Sequence, residues 1–384
     1  MARENGFARH NEEVKEVWDA YHAGRPIRVP LTFGINARFV LLDPALNPEG
    51  ITFERYSNDP AVMLDVQLAF QDYVRHNIPQ DAPMGLPEKW DVKVDFQNYF
   101  EAGFLGAEVY FPEGNVPVSR PMLSGDRKRL LLDRGIPEPS ESLLYRKNRR
   151  FYEYFAARRK EGFEYKGRPL GVITPSGSWT DGPLTLLMSL RGEEGLIDMY
   201  LDAGYFEEMM AYATDFEIRF ARETRRVSGQ PLRPEQGDIA DDSIELISTE
   251  DYKRFILKWH RKLFDELSSG KGPNSMHICG DVQRHFPTLR DELNIRTFDT
   301  GFPIRWETLR DEVGEEVTIS GGPHIEVLRL GTPGTVRAET KRILQSGIMR
   351  GGKFLIREGN NLPPLTPLAN LTAMYEAVKE YGRY

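Results

Sequence analysis

The chain has 384 residues, with 50 lysines and arginines against 58 aspartates and glutamates and a net charge of −8; this acidic balance argues against a nucleic-acid binder, whose phosphate contacts favour a basic surface. One cysteine in the whole chain rules out an internal disulfide framework and a cysteine-rich zinc module. No apolar run is long enough to span a bilayer and the polar start Met1-Ala2-Arg3-Glu4-Asn5 has no signal-peptide core, so a cytoplasmic protein with no membrane partner is expected.

Val14, Val17, Trp18 and Tyr21 recur at helical spacing ahead of Gly24, which predicts an amphipathic helix over 11–23. Residues 27–33 read as the first strand, with Gly34, Asn36 and Arg38 in the loop beyond it. A helix is expected over 60–76, residues 91–101 fit no single pattern, and 106–111 read as the second strand. The segment 112–148 is rich in proline and charge, and an insertion of that kind acts as a lid or a subunit contact, leaving room for a homodimer. The basic run Arg146-Lys147-Asn148-Arg149-Arg150 reads as a solvated helix face.

From residue 168 a rhythm sets in. Short apolar runs at 170–174, 236–240, 275–279, 295–299, 317–320 and 354–357 are each followed by Gly, Asp, Asn or Pro, and helical patterns lie between them. Ser248 with Asp251 three residues later forms a capping-box signal ahead of Tyr252, Phe255, Ile256, Trp259 and Leu263. Thr366-Pro367 opens the last helix, carried by Leu368, Leu371, Met374, Tyr375 and Val378. With the two early strands this makes eight strand-helix units, and the expected fold is an α/β (β/α)₈ TIM barrel over 1–384 as one domain.

The stretch Asn274-Ser275-Met276-His277-Ile278-Cys279-Gly280-Asp281 holds the lone cysteine. In extended chain, residues i and i+2 point the same way, so His277 and Cys279 share a face at a strand end. Imidazole and thiolate are both zinc ligands, and a thiolate is also a nucleophile. In a barrel, other polar residues converge on the same mouth: Asn36 and Arg38, then Ser176, Ser178 and Asp181, then Asp238, Asp241 and Asp242, Asp281, Asp299, His324, and last Arg357, Glu358, Asn360 and Asn361. Such a set can run acid/base or metal-assisted chemistry. Each also has a structural reading; Asp241 and Asp242, for example, can cap a helix.

The ordered motifs Asp181-Gly182-Pro183-Leu184-Thr185 with Leu190-Arg191-Gly192, Gly237-Asp238 through Asp242, His277-Ile278-Cys279-Gly280, Gly331-Thr332-Pro333, and Gly359-Asn360-Asn361-Leu362-Pro363-Pro364 with Thr366-Pro367 resemble the uroporphyrinogen decarboxylase superfamily. Within it the chain is more similar to the branch of corrinoid-linked methyltransferases, of the methylcobalamin:coenzyme M type. That resemblance also implies a (β/α)₈ barrel. It implies zinc held by the His and Cys of His-x-Cys-Gly, here His277 and Cys279, and by a second Cys whose position falls on Asn360. With one cysteine the two-thiolate site cannot form, so Glu358 is expected as third ligand, with Asp241, Asp242 and His324 as the other candidates.

The activity so implied is methyl transfer between a corrinoid, carried by a partner protein, and a small acceptor. Asp241, Asp242 or Glu358 would complete the metal shell or take the acceptor's proton. Asn36, Arg38, Ser178, Asp299, His324, Arg357, Asn360 and Asn361 would contact substrate. The decarboxylase branch is the alternative, but its arginine-bearing first loop corresponds here to Phe33-Gly34-Ile35-Asn36-Ala37-Arg38, and one arginine is thin provision for eight substrate carboxylates. A barrel that binds without catalysing, suggested by Asn360 in a ligand position, is the third reading.

Overall fold

Four runs of extended chain precede the expected rhythm in the computed structural model, which describes residues 2–177 and 179–384. They are β1 (Trp90–Lys93), β2 (Val109–Tyr110), β3 (Val118–Ser119) and β4 (Glu164–Tyr165), followed by β5 (Arg168–Thr174), β6 (Asp238–Ala240), β7 (Asn274–Ile278), β8 (Ile295–Thr300), β9 (Thr318–Gly321) and β10 (Phe354–Ile356). Strands β6 to β10 form one parallel sheet in sequence order, and the chain returns between them through helices such as Leu257–Leu267, Phe286–Leu293, Trp306–Val313 and Pro333–Leu344. Parallel neighbours require such crossovers.

Register decides what each face of this sheet carries. Ile239, Met276, Phe298, Ile319 and Phe354 stand side by side across the five strands and are all buried. Each contributes roughly 1.5–3 kcal/mol by leaving water. The next row is Ala240, His277, Asp299, Ser320 and Leu355, and because side chains alternate it faces the other way. The polar row that carries the chemistry is thus fixed by the apolar row that packs.

The second strand falls elsewhere than expected. β1 pairs in parallel with β5, whereas Val109–Tyr110 forms a small antiparallel pair with β3. Trp90 and Val92 bury one face of β1 while Asp91 and Lys93 face out, and Asp91 Oδ1 accepts the Val172 N–H at 2.6 Å. That alternation hides a strand from a search for continuous apolar runs. The first strand is reduced to two isolated bridges, an antiparallel one of Arg28 with Arg383 and a parallel one of Leu31 with Ile356, the latter flanked by bonds from Ile356 N to the Pro30 carbonyl and from Thr32 N to the Ile356 carbonyl at 3.0 and 3.2 Å. Pro30 has no N–H to continue the ladder. At the far edge of the sheet Ala240 N donates to the Thr180 carbonyl at 3.1 Å. Among the described residues the ladders leave the five-stranded and the β1-β5-β4 sheets without a closed ring of hydrogen bonds.

The helices follow the sequence closely. Ala2–His22 contains the expected first helix, Pro60–Asn77 the next and Leu368–Tyr381 the last. Ser248 accepts the Asp251 N–H, as its capping signal requires. Residues 112–148 lie on the outer helices Pro183–Arg191, Glu194–Leu201 and Ala203–Ser228. Met122 and Leu123 donate to the Leu190 carbonyl at 2.8 and 2.9 Å, Lys128 pairs with Asp198 at 2.7 Å, and Tyr212 donates to the Gly135 carbonyl at 3.2 Å. No described helix is long and apolar enough to cross a membrane.

Candidate functional site

His277 and Asp299 meet because β7 and β8 place them opposite each other on the polar face. His277 Nδ1 lies 2.8 Å from Asp299 Oδ2. Its other ring nitrogen, Nε2, is directed to Asp242, 3.7 Å from Oδ1. Burial works against a charged His277, yet the hydrogen bond and charge of Asp299, helped by Asp242, hold its pKa above the ordinary value. Burial likewise opposes an ionised Asp299, and His277 with Arg357 outweighs it, keeping that carboxyl below its usual range. Arg357 Nη1 sits 3.0 Å from both oxygens of Asp299. The result is a relay of fixed orientation: guanidinium, carboxylate, imidazole.

Cys279 stands one residue past the end of β7, and its N–H donates to Asp242 Oδ1 at 2.8 Å. Gly280 next to it has φ +87°, and a Cβ there would overlap the Glu245 carboxylate, so the His-x-Cys-Gly turn admits only glycine at this point. The Cys279 thiol is pushed well up, first by burial and then by the charge and hydrogen bond of Asp242; a hydrogen bond from the Asn360 side chain pulls the other way. Metal-free protein is therefore expected to react with iodoacetamide at pH 7.5 at least about tenfold more slowly than a free cysteine, because only the thiolate attacks. Alkylation followed by mass spectrometry measures this, and a rate equal to that of free cysteine contradicts it.

Asp242, His277 and Cys279 each offer one ligand atom within 4.8 Å of the others. Oxygen, nitrogen and sulfur donors in that arrangement suit a tetrahedral ion such as zinc, and Asp299 behind His277 is the carboxylate partner that metal-bound histidines usually have. The expected third ligand, Glu358, is placed differently. It is fully buried, accepts the Gly34 N–H at 2.9 and 3.1 Å and pairs with Arg357 Nη2 at 2.7 Å. Burial raises its pKa in spite of these partners.

Asp241 is equally enclosed. It accepts from Leu184 N (3.1 Å), Thr185 N (2.9 Å) and Thr185 Oγ1 (2.7 Å), and lies 2.9 Å from Nε2 of buried His260. It thereby caps the helix Pro183–Arg191. Gly182 allows the approach: at φ +90°, a Cβ there would lie 2.2 Å from the Ala240 carbonyl oxygen. His324 caps its own helix by accepting the Glu326 N–H at 3.0 Å and stacks near Phe302. Ser178 lies outside the described residues.

A cavity of about 400 Å³ opens among the strand ends, lined by Asn36, Arg38, Asp181 and Asn361 together with Asp95 and Gln97. Asn36 Nδ2 donates to Asn361 at 3.2 Å and Arg38 Nη2 to Gln97 at 3.1 Å, while Arg38 Nε is buried with no partner among the described residues. Sequence reasoning missed Asp95 and Gln97, which follow the displaced strand β1; the alternation Trp90, Val92, Val94 was the signal that pointed to them. Behind the cavity lie buried acids. Asp181 is pushed up to about 7, by burial first and then by the charge of Asp242. Burial also raises Glu101 and Glu217, and neither oxygen of Glu217 has a partner among the described residues.

An acid that keeps its proton when folded and loses it when unfolded makes stability fall as pH rises above the ordinary carboxylate range. Glu217→Gln is expected to lose that dependence and to gain stability over wild type at pH 8 relative to pH 5. Urea denaturation at the two pH values decides; equal pH dependence in both proteins contradicts the assignment.

A parallel α/β sheet with a cavity and a His/Cys/Asp cluster at its strand ends defines the class: an α/β protein whose candidate site is built from the segments that follow its strands. A match to the family Uroporphyrinogen decarboxylase (URO-D) spans residues 92–381, and the chain belongs to that family. Over 220 residues it is 24% identical to a methylcobamide:CoM methyltransferase, MtbA, of Methanosarcina mazei, covering 57% of this chain and 60% of that protein. Over 173 residues it is 32% identical to a methylated-thiol–coenzyme M methyltransferase of the same organism, 44% of this chain and 42% of that one. The chain thus spans less than two thirds of the length of these relatives. Among solved structures, a methyltransferase from Methanosarcina mazei shares the fold with a TM-score of 0.63 at 17% identity, over 96% of this chain and 98% of that one.

Proposed function

We propose that the protein is a methyltransferase that moves a methyl group between a corrinoid, carried by a partner protein, and a small acceptor bound at the strand ends. The observation that carries this reading is the meeting of His277, Cys279 and Asp242 within 4.8 Å beside the cavity that Arg38 and Asp181 line. The names of the relatives support it. Zinc bound to this cluster would supply Lewis acidity, making an acceptor thiol react as its thiolate at neutral pH.

The chain's own groups do the rest. Arg357 and Asp299 hold the His277 ring so that Nε2 faces the cluster. Arg38, with its unpartnered Nε–H, binds an anionic end of the acceptor. Asp181 at the cavity wall takes the proton that the acceptor releases. Asp241 and Glu358 serve as anchors, the first holding a helix and the second tying the loop at Gly34 to the last strand. The bridge of Leu31 to Ile356 and the bond of Ala240 to Thr180 support a (β/α)₈ barrel, with residues 27–33 and the segment at Thr180 completing the ring that the two sheets begin. The contacts of residues 112–148 with outer helices favour a fixed insertion over a lid, and the free thiol of Cys279 suits the cytoplasm.

A cavity of this size with one arginine is poorly matched to a tetrapyrrole bearing eight carboxylates. The test is a pair of assays on the full chain: methylcobalamin demethylation with a panel of small thiols, and coproporphyrinogen formation from uroporphyrinogen. Thiol-dependent demethylation without decarboxylation is expected. Decarboxylation without demethylation would overturn the reading in favour of the other branch, and inactivity in both would overturn it in favour of a binding role.

A further inference from the structure

We infer that Asp242 takes the place of the missing second thiolate, so that the metal site of this chain is a single-thiolate centre of His277 Nε2, Cys279 Sγ and an Asp242 carboxylate oxygen, with Asn360 as a hydrogen-bond donor to the sulfur. The inference deepens the methyltransferase reading and rests on it only for the expectation that a metal is needed.

The geometry points to Asp242 from three sides. It is the carboxylate whose oxygen falls with His277 and Cys279 within 4.8 Å. Its Oδ1 is fixed by the Cys279 N–H at 2.8 Å and lies 3.7 Å from His277 Nε2, the nitrogen that Asp299 leaves free. The other acids near by are spoken for: Glu358 by Gly34 and Arg357, Asp241 by four donors. Asn360 cannot substitute as a ligand through its carbonyl, because Oδ1 already accepts from the Asn361 N–H at 2.7 Å and from Asn361 Nδ2 at 3.4 Å. Its side chain is near enough to Cys279 to favour the thiolate form.

Two chemical consequences follow. A carboxylate is a harder ligand than a thiolate, and a thiolate that accepts an N–H bond donates less charge to its metal. The centre is therefore more Lewis-acidic and less selective for soft ions than a two-thiolate site.

Cobalt(II) titrated into the chelator-stripped full chain reads the ligand set without any turnover, through the thiolate-to-cobalt charge-transfer band. Wild type is expected to bind one cobalt with the band intensity of a single thiolate. Asn360→Cys should raise that intensity about twofold, Cys279→Ser should remove the band, and Asp242→Asn should weaken cobalt binding at least about tenfold. Asp242→Asn keeps an acceptor for the Cys279 N–H, and Asp242→Glu, which should restore most of the affinity, guards against a folding defect. Wild-type affinity in Asp242→Asn, an unchanged band in Asn360→Cys, or no cobalt band in wild type would each overturn the assignment. Demethylation that fails while the cobalt pattern holds refutes the methyltransferase reading alone; active enzyme with cobalt binding indifferent to Asp242 refutes the ligand alone.

Discussion

Replacing Asp241 with alanine is expected to destabilise the fold by roughly 3–5 kcal/mol, the usual cost of breaking a buried pair by removing one partner. Four groups lose this acceptor at once: Leu184 N, both donors of Thr185, of which the hydroxyl keeps only Ser243 Oγ at 3.0 Å, and His260, which is fully buried and otherwise bonded through Nδ1 to Tyr252 at 3.1 Å. The helix Pro183–Arg191 then has no side-chain cap, since Gly182 offers none. Asp241→Asn keeps one acceptor oxygen and should cost less, about 1–3 kcal/mol. Urea denaturation followed by circular dichroism measures both. An Asp241→Ala protein as stable as wild type would show that this aspartate is not an anchor and return it to the list of catalytic candidates.

The second large effect is expected at Asp299. Asp299→Ala leaves Cys279, Asp242 and His277 in place but removes the acceptor that orients the His277 ring, at 2.8 Å from Nδ1, and one of the two carboxylate partners of Arg357. Loss of such an outer partner lowers metal affinity about 10–100-fold. Competition with a chromophoric chelator gives the affinity directly. If Asp299 instead contacts only substrate, as its sequence position suggested, zinc affinity will be unchanged and the acceptor KM will rise.

Much of this arrangement is written locally. The His277-x-Cys279 face, the cap at Ser248 and the strands from β6 onward rest on short-range periodicity, and the structure places them where the residues indicate. What the sequence hid depends on contacts between distant segments. Strand β1 alternates polar and apolar residues, and only its pairing with β5 makes it a strand; Asp95 and Gln97 went unnoticed with it. Asp241 and Asp242 are neighbours of identical chemistry. The backbone at Asp241, with φ −166° and ψ 79°, sends one to the helix at Pro183 and the other to Cys279. Glu358 follows the last strand as an attractive ligand, yet its partner Gly34 lies 324 residues away, and no local pattern could reveal that the carboxylate is turned toward it.

Zinc content by elemental analysis, on the full chain purified without chelators, bears most directly on the proposed centre. The account predicts about one zinc per chain in the wild type, lost in both His277→Ala and Cys279→Ala. A wild-type protein free of metal, or zinc retained in both variants, would contradict it.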